Sequence, residues 1–126
     1  MSDSALVDTN VLIYSETTTD ENKHQTAIKR LQEFRSSYDL CLSVQNMNEL
    51  ANTLLISDYE TSFNLIYWNI ETIKEATKLS RTHGIHFYDA LLSATMKEHL
   101  IDIIITENEK DFKKIPWMTV INPFKI

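Results

Sequence analysis

The run Ile101-Asp102-Ile103-Ile104-Ile105-Thr106 constrains the fold more than any other stretch of the chain. Its near-continuous β-branched residues read as a strand, and a strand apolar on both sides needs cover on both faces. That pattern suits a parallel strand inside a layered α/β domain. Ala5-Leu6-Val7 gives a shorter strand of the same kind, closed by Asp8. Thr9 is positioned as the N-cap of a short helix through Tyr14.

The remaining elements alternate. The polar stretch 16–22 is a loop, and Ala27, Ile28, Leu31 and Phe34 share one face of a helix over 23–38. A second strand over Leu40–Val44 runs into a helix over Asn46–Leu55. Ser57-Asp58 is a break, Tyr59–Leu65 a short helix, and the β-formers Tyr67–Ile70 a third strand. A helix over Glu71–Thr82 stops at Gly84, the single glycine of the chain. Phe87–Leu100 is helical, Glu109–Lys114 a short helix and Met118–Ile121 the last strand. This alternation predicts an α/β fold of three layers, α/β/α, with a mainly parallel central sheet, residues 1–126 forming a single domain.

One glycine rules out a glycine-rich phosphate loop or dinucleotide fingerprint. One cysteine, Cys41, rules out an internal disulfide framework, and its place in Leu40-Cys41-Leu42 marks it as a small buried hydrophobe. His83 and His86 flank Gly84-Ile85 at a helix end, with no nearby cysteine or third histidine to complete a zinc site. No serine sits in an elbow-like glycine context. No apolar run reaches the roughly 20 residues of a membrane helix. Met1-Ser2-Asp3-Ser4 lacks the basic region of a signal peptide, so a soluble, cytoplasmic protein is expected. The formal charge of −6 disfavours a nucleic-acid binder that works by charge alone. It fits carboxylates that hold divalent cations against phosphate oxygens.

Ligands of open parallel sheets gather beyond the carboxyl ends of the strands. Asp8 ends one strand, Glu49 follows a strand-to-helix turn, Asp89 opens a helix, and Thr106-Glu107-Asn108 follows the most buried strand. Singly, each has an ordinary structural job as cap, exposed face or first-turn acid. Together they put several carboxylates at one edge. Such a cluster raises its members' pKa values unless a cation neutralises them, and Mg²⁺ or Mn²⁺ suits oxygen ligands.

These motifs resemble those of the PIN-domain ribonucleases, most closely the VapC toxins of toxin–antitoxin pairs. Asp8-Thr9-Asn10-Val11-Leu12 is similar to the family's opening motif. Ser43 with Glu49-Leu50 is similar to its second, and Phe87-Tyr88-Asp89-Ala90-Leu91-Leu92 to its third. Thr106-Glu107-Asn108-Glu109-Lys110-Asp111-Phe112 is similar to its fourth, and Asn122-Pro123-Phe124 to its common ending. The resemblance implies metal-assisted hydrolysis of RNA. Asp8, Glu49 and Asp89 would be the acidic residues that hold Mg²⁺ or Mn²⁺, with Asp8 and Asp89 as direct ligands and Glu49 binding metal or orienting water.

Asn108 stands where the family often has aspartate, with Glu107 and Asp111 as the neighbouring acids open to that role. Thr9, Asn10, Ser43 and Thr106 would be supporting groups. Lys110, Lys113 and Lys114 either guide the RNA backbone or form a solvated helix face. The resemblance also implies a small antitoxin partner and a homodimer, with Tyr59, Phe63 and Trp117 as interface aromatics or core. Asn108 leaves a second reading open: a weakly catalytic PIN domain that serves as an RNA-binding or scaffold module. A receiver domain phosphorylated on Asp8 would want aspartate two residues on, where this chain has Asn10.

Overall fold

A computed structural model describes residues 3–50 and 63–125. Five strands, β1 Ser4–Val7, β2 Asp39–Ser43, β3 Asn64–Ile66, β4 Ile103–Ile105 and β5 Thr119–Ile121, form one sheet in the order β3-β2-β1-β4-β5. Every pairing is parallel. Helices α1 Thr9–Glu16, α2 Glu21–Ser37, α3 Val44–Leu50, α4 Ile70–His83, α5 Phe87–Glu98 and α6 Glu109–Phe112 complete the described chain.

The three layers follow from alternation along each strand. Leu6, Cys41, Ile66 and Ile104 point to one core with Ala76, Leu79, Leu91 and Leu92 of α4 and α5. Ala5, Val7, Leu40, Leu42 and Ile105 point to the other, with Val11, Leu12, Ala27 and Phe34 of α1 and α2. Cys41 is buried and free, as its setting predicts. Among the described residues, no helix is long and apolar enough to cross a membrane.

Local hydrogen bonding moves several expected boundaries. Asp8, not Thr9, caps α1: its side chain accepts from the Thr9 N–H, and Thr9 is a buried helical residue. Ser43 starts α3 earlier than expected, its hydroxyl accepting from the Asn46 N–H at 3.1 Å. Residues 51–55 of that expected helix lie outside the described residues. The third strand is Asn64–Ile66, where Ile66 pairs with Ser43, and not Tyr67–Ile70. Tyr67 is exposed, and Asn69 closes a capping box with Thr72 that assigns Ile70 to α4.

Asn64 and Leu65, expected in a helix, are therefore strand, while 59–62 lie outside the described residues. Phe63 is buried against the α2 side of the sheet rather than offered to an interface. Trp117 is half-buried against the α4–α5 core, and Tyr59 lies outside the described residues. Ile101 leaves β4 because its N–H closes α5 on the Met96 carbonyl at 2.9 Å.

Gly84 ends α4 in the left-handed region at φ 63°, its N–H donating to the Ser80 carbonyl. A Cβ placed there meets no atom within 4 Å, so only the backbone penalises a side chain. Gly84→Ala is therefore expected to lower stability by about 1 kcal/mol. Urea unfolding checks this as a lower midpoint with an unchanged slope.

Candidate active site

β1 lies in the middle of the sheet, with β2 on one side and β4 on the other, so the chain reverses direction of travel between β1 and β4. The carboxyl ends of those two strands border the crevice where such folds bind ligands. Val7 pairs with Ile105, and the Asp8 N–H continues the ladder onto the Ile105 carbonyl at 2.9 Å. That register sets Asp8 beside Thr106.

Thr106 is fully buried and its hydroxyl is used completely. It accepts from Asn10 Nδ2 at 3.3 Å and from the Asn108 N–H at 3.0 Å. Its one proton is left for Asp8 Oδ2, at 2.9 Å. Asn10 also accepts the Glu107 N–H, at 3.2 Å, so the first and fourth motifs hold each other. On the β2 side, Asn46 Oδ1 accepts from both the N–H and the hydroxyl of Ser43, each at 3.1 Å. Its amide Nδ2 donates to Thr9 Oγ1 at 2.8 Å and reaches Asp8 Oδ1 at 3.5 Å. A buried polar network with every member satisfied is rigid, because any rearrangement strands a polar group without water.

Asp89 arrives from α5 as the second half-buried carboxylate. Burial raises its pKa to about 6, the Asp111 carboxyl and the charge of Asp8 add to this, and His86 opposes it. Burial likewise raises Asp8, with Glu49 adding charge repulsion and Thr106 and Thr9 opposing through hydrogen bonds. Asn108 is exposed, and its amide Nδ2 stands 3.5 Å from Asp89 Oδ2.

The predicted residues thus divide. Asp8, Thr9, Asn10, Ser43, Asp89, Thr106, Asn108 and Asp111 come together at one edge. Glu49 is exposed at its margin, 3.4 Å from Gln45 Nε2. Glu107 turns away, ion-paired with Lys23 of α2 and accepting the Tyr14 hydroxyl at 3.2 Å. Lys113 pairs with Glu109 at 2.8 Å, Lys114 lies 3.5 Å from Asp111, and Lys110 has no ion pair among the described residues. Asn46, named in the sequence only as the start of a helix, is a site residue that none of the motifs includes; it is 1% exposed. The spacing Ser43-x-x-Asn46 carries the signal, since a capping serine and the third helical residue bond reciprocally.

Among the described residues, no three His, Cys, Asp or Glu side chains group closely enough to hold an ion between them. The donors at this edge are two mutually repelling carboxylates, Asp8 and Asp89, with neutral amides and hydroxyls around them. That set fits a hard cation that takes one or two protein carboxylates and fills its remaining positions with water and phosphate.

The ion-free fold binds a proton at Asp89 more readily than the unfolded chain does. The stability tied to this group is therefore full below pH 3.8 and falls as the pH rises towards 6. Asp89→Asn, whose amide can still donate to Asp111, removes that loss. In EDTA at pH 7 the variant is expected to melt about 2–5 °C above the wild type, with the gap closing near pH 4. Thermal unfolding at the two pH values checks both the sign and the window.

The comparisons with known proteins agree with this architecture. No curated protein matches the chain. A toxin–antitoxin complex from Klebsiella pneumoniae contains a similar chain, 24% identical, over 97% of this chain and 99% of that one, with a TM-score of 0.69. VapBC-1 from nontypeable Haemophilus influenzae is similar at 20% identity over 97% and 99%, TM-score 0.72. The Mycobacterium tuberculosis toxin VapC20, which cleaves the sarcin–ricin loop, is similar at 18% identity over 89% and 95%, TM-score 0.66. At these identities the likeness is one of fold. The family model described as the PIN domain matches residues 5–118, from the first strand past the fourth motif, and so the chain belongs to the PIN domain family.

Proposed function

We propose that this PIN domain is a divalent-metal-dependent endoribonuclease that hydrolyses RNA phosphodiester bonds, and the toxin of a VapBC-type toxin–antitoxin pair. The observation that carries the reading is the approach of Asp8 and Asp89 at the β1–β4 crevice, linked through Thr106 and Asn108, each raised by burial and Asp89 raised further by the charge of Asp8. Two half-buried carboxylates brought to one edge favour a cation between them. The net charge of −6 points the same way, since an acidic chain needs a cation to meet a phosphate. The toxin and antitoxin names of its structural relatives support the biological setting.

In this reading Asp8 and Asp89 hold Mg²⁺, or Mn²⁺. The bound ion supplies Lewis-acid polarisation of a phosphate oxygen and a more acidic attacking water. Hydrogen bonds from Thr9, Thr106 and Asn46 orient Asp8 and occupy only part of its acceptor capacity, which leaves room for the ion. Asn108 steadies Asp89 as a neutral donor, and Asp111 is the nearby acid that stands in for the fourth position. Glu49 binds metal or orients the water. Lys110, exposed and unpaired among the described residues, steers the RNA backbone better than Lys113 or Lys114. A cognate antitoxin covering the carboxylate edge, a homodimer and a cytoplasmic location complete the proposal.

Purified protein freed of antitoxin is expected to cut cellular RNA into discrete fragments with Mg²⁺ or Mn²⁺. EDTA, or Asp8→Asn, should slow cleavage by about 100-fold or more. Gel analysis of the fragments checks this. Cleavage that survives chelation contradicts the metal dependence, and folded protein inert in both metals contradicts the nuclease and favours an RNA-binding module.

A further inference from the structure

The rim of the carboxylate edge carries an exposed aromatic pair that core packing does not use. Tyr88 is the second residue of α5 and precedes Asp89, yet 59% of its surface is exposed. The His86 ring stacks on it, centroids 5.7 Å apart and planes 29° from parallel. Phe87 meets it edge-on at 5.6 Å. The backbone beneath is clamped on both sides: His86 Nδ1 accepts the Tyr88 N–H at 3.3 Å, and Gln45 Nε2 of α3 donates to the Tyr88 carbonyl at 3.2 Å. A lone exposed tyrosine needs no explanation. A tyrosine backed by a second ring and fixed by two elements is a preformed flat surface, and ordering it costs little on binding.

We propose that Tyr88, backed by His86, is a stacking platform for an unpaired base of the nucleotide beside the phosphate held at Asp8 and Asp89. The inference rests on the ribonuclease reading. Tyr88 directly precedes Asp89, with Cα atoms about 3.8 Å apart, so the two side chains leave neighbouring positions in the first turn of α5. The chemistry matches because aromatic rings bind bases through their π faces without needing opposite charge. This chain has little charge to offer: its net charge is −6, and Lys113 and Lys114, near the rim, are engaged with Glu109 and Asp111. Unpaired bases are also the part of RNA that exposes such faces, since a duplex buries them by stacking.

The test uses the full chain as wild type, Tyr88→Ala, Tyr88→Phe and Tyr88→Trp. The first probe is a single-stranded RNA oligonucleotide carrying 2-aminopurine, whose fluorescence falls on stacking, titrated with and without Mg²⁺. Quenching is expected for wild type, Phe and Trp, with affinity about 10-fold weaker for Ala. Equal quenching by wild type and Ala, or none by wild type, overturns the proposal, as does an Ala phenotype confined to the mass of a protein assembly. The second probe is cleavage. Tyr88→Ala should lower kcat/KM about 10-fold on intact single strands, and hardly at all on a strand made abasic at the stacked position. An equal loss on both strands contradicts stacking. If wild type quenches but cuts no RNA in either metal, the nuclease reading falls while the platform stands.

Discussion

The β1–β4 register is the contact on which the rest depends. It brings the end of a strand near the chain's start beside the end of one nearly a hundred residues later. The Asp8 N–H then bonds Ile105 and the Thr106 hydroxyl bonds Asp8. A slip of one residue would turn every side chain of β4 to the opposite core and separate Thr106 from Asp8. The residues that bound the isoleucine run oppose that slip, because moving it by one would carry Asp102 or Thr106 into an apolar position that Ile103 or Ile105 now fills. The core thus fixes the register, and the register fixes the acid.

Around that acid the polar groups are graded. Closest to the sheet, Thr106, Ser43 and Asn46 are buried and fully bonded to their neighbours. Further out, Asp89 and Asn108 are held loosely, by an amide contact of 3.5 Å and the neighbouring Asp111. Glu107 is removed altogether: Lys23 lies over the Tyr14 and Phe124 rings and binds its carboxylate, which raises the lysine's pKa through that hydrogen bond. The loop after β4 therefore presents a neutral amide to the site while its adjacent acid is neutralised elsewhere. A rigid interior beneath a rim with open acceptor positions suits a site whose remaining ligands come from substrate and solvent.

Much of this was legible in the sequence, for identifiable reasons. The isoleucine run and Ala5–Val7 announced a parallel sheet with two covered faces, because a strand apolar on both sides has few other homes. Asp8 and Asp89 were legible from their places at a strand end and a helix start. Boundaries set by a single side chain were not. Asn69 overrode the β-propensity of Tyr67-Trp68 by capping α4, and Asp8 took the cap expected of Thr9. Asn46 was hidden because polarity in a helix usually means exposure, and only tertiary contact reveals a buried amide. That Glu107 turns away from the edge depends on Lys23, whose approach from α2 no local pattern carries.

The central claim is that Asp8 and Asp89 together collect a divalent cation. Paramagnetic Mn²⁺ titrated into isotope-labelled protein tests it most directly, through broadening of backbone resonances read residue by residue. The account predicts early, saturable broadening centred on Asp8, Asp89, Thr106 and Asn108, reversed by excess Mg²⁺ and lost in Asp8→Asn. Broadening spread over the acidic surface without saturation, or unchanged in Asp8→Asn, would contradict it.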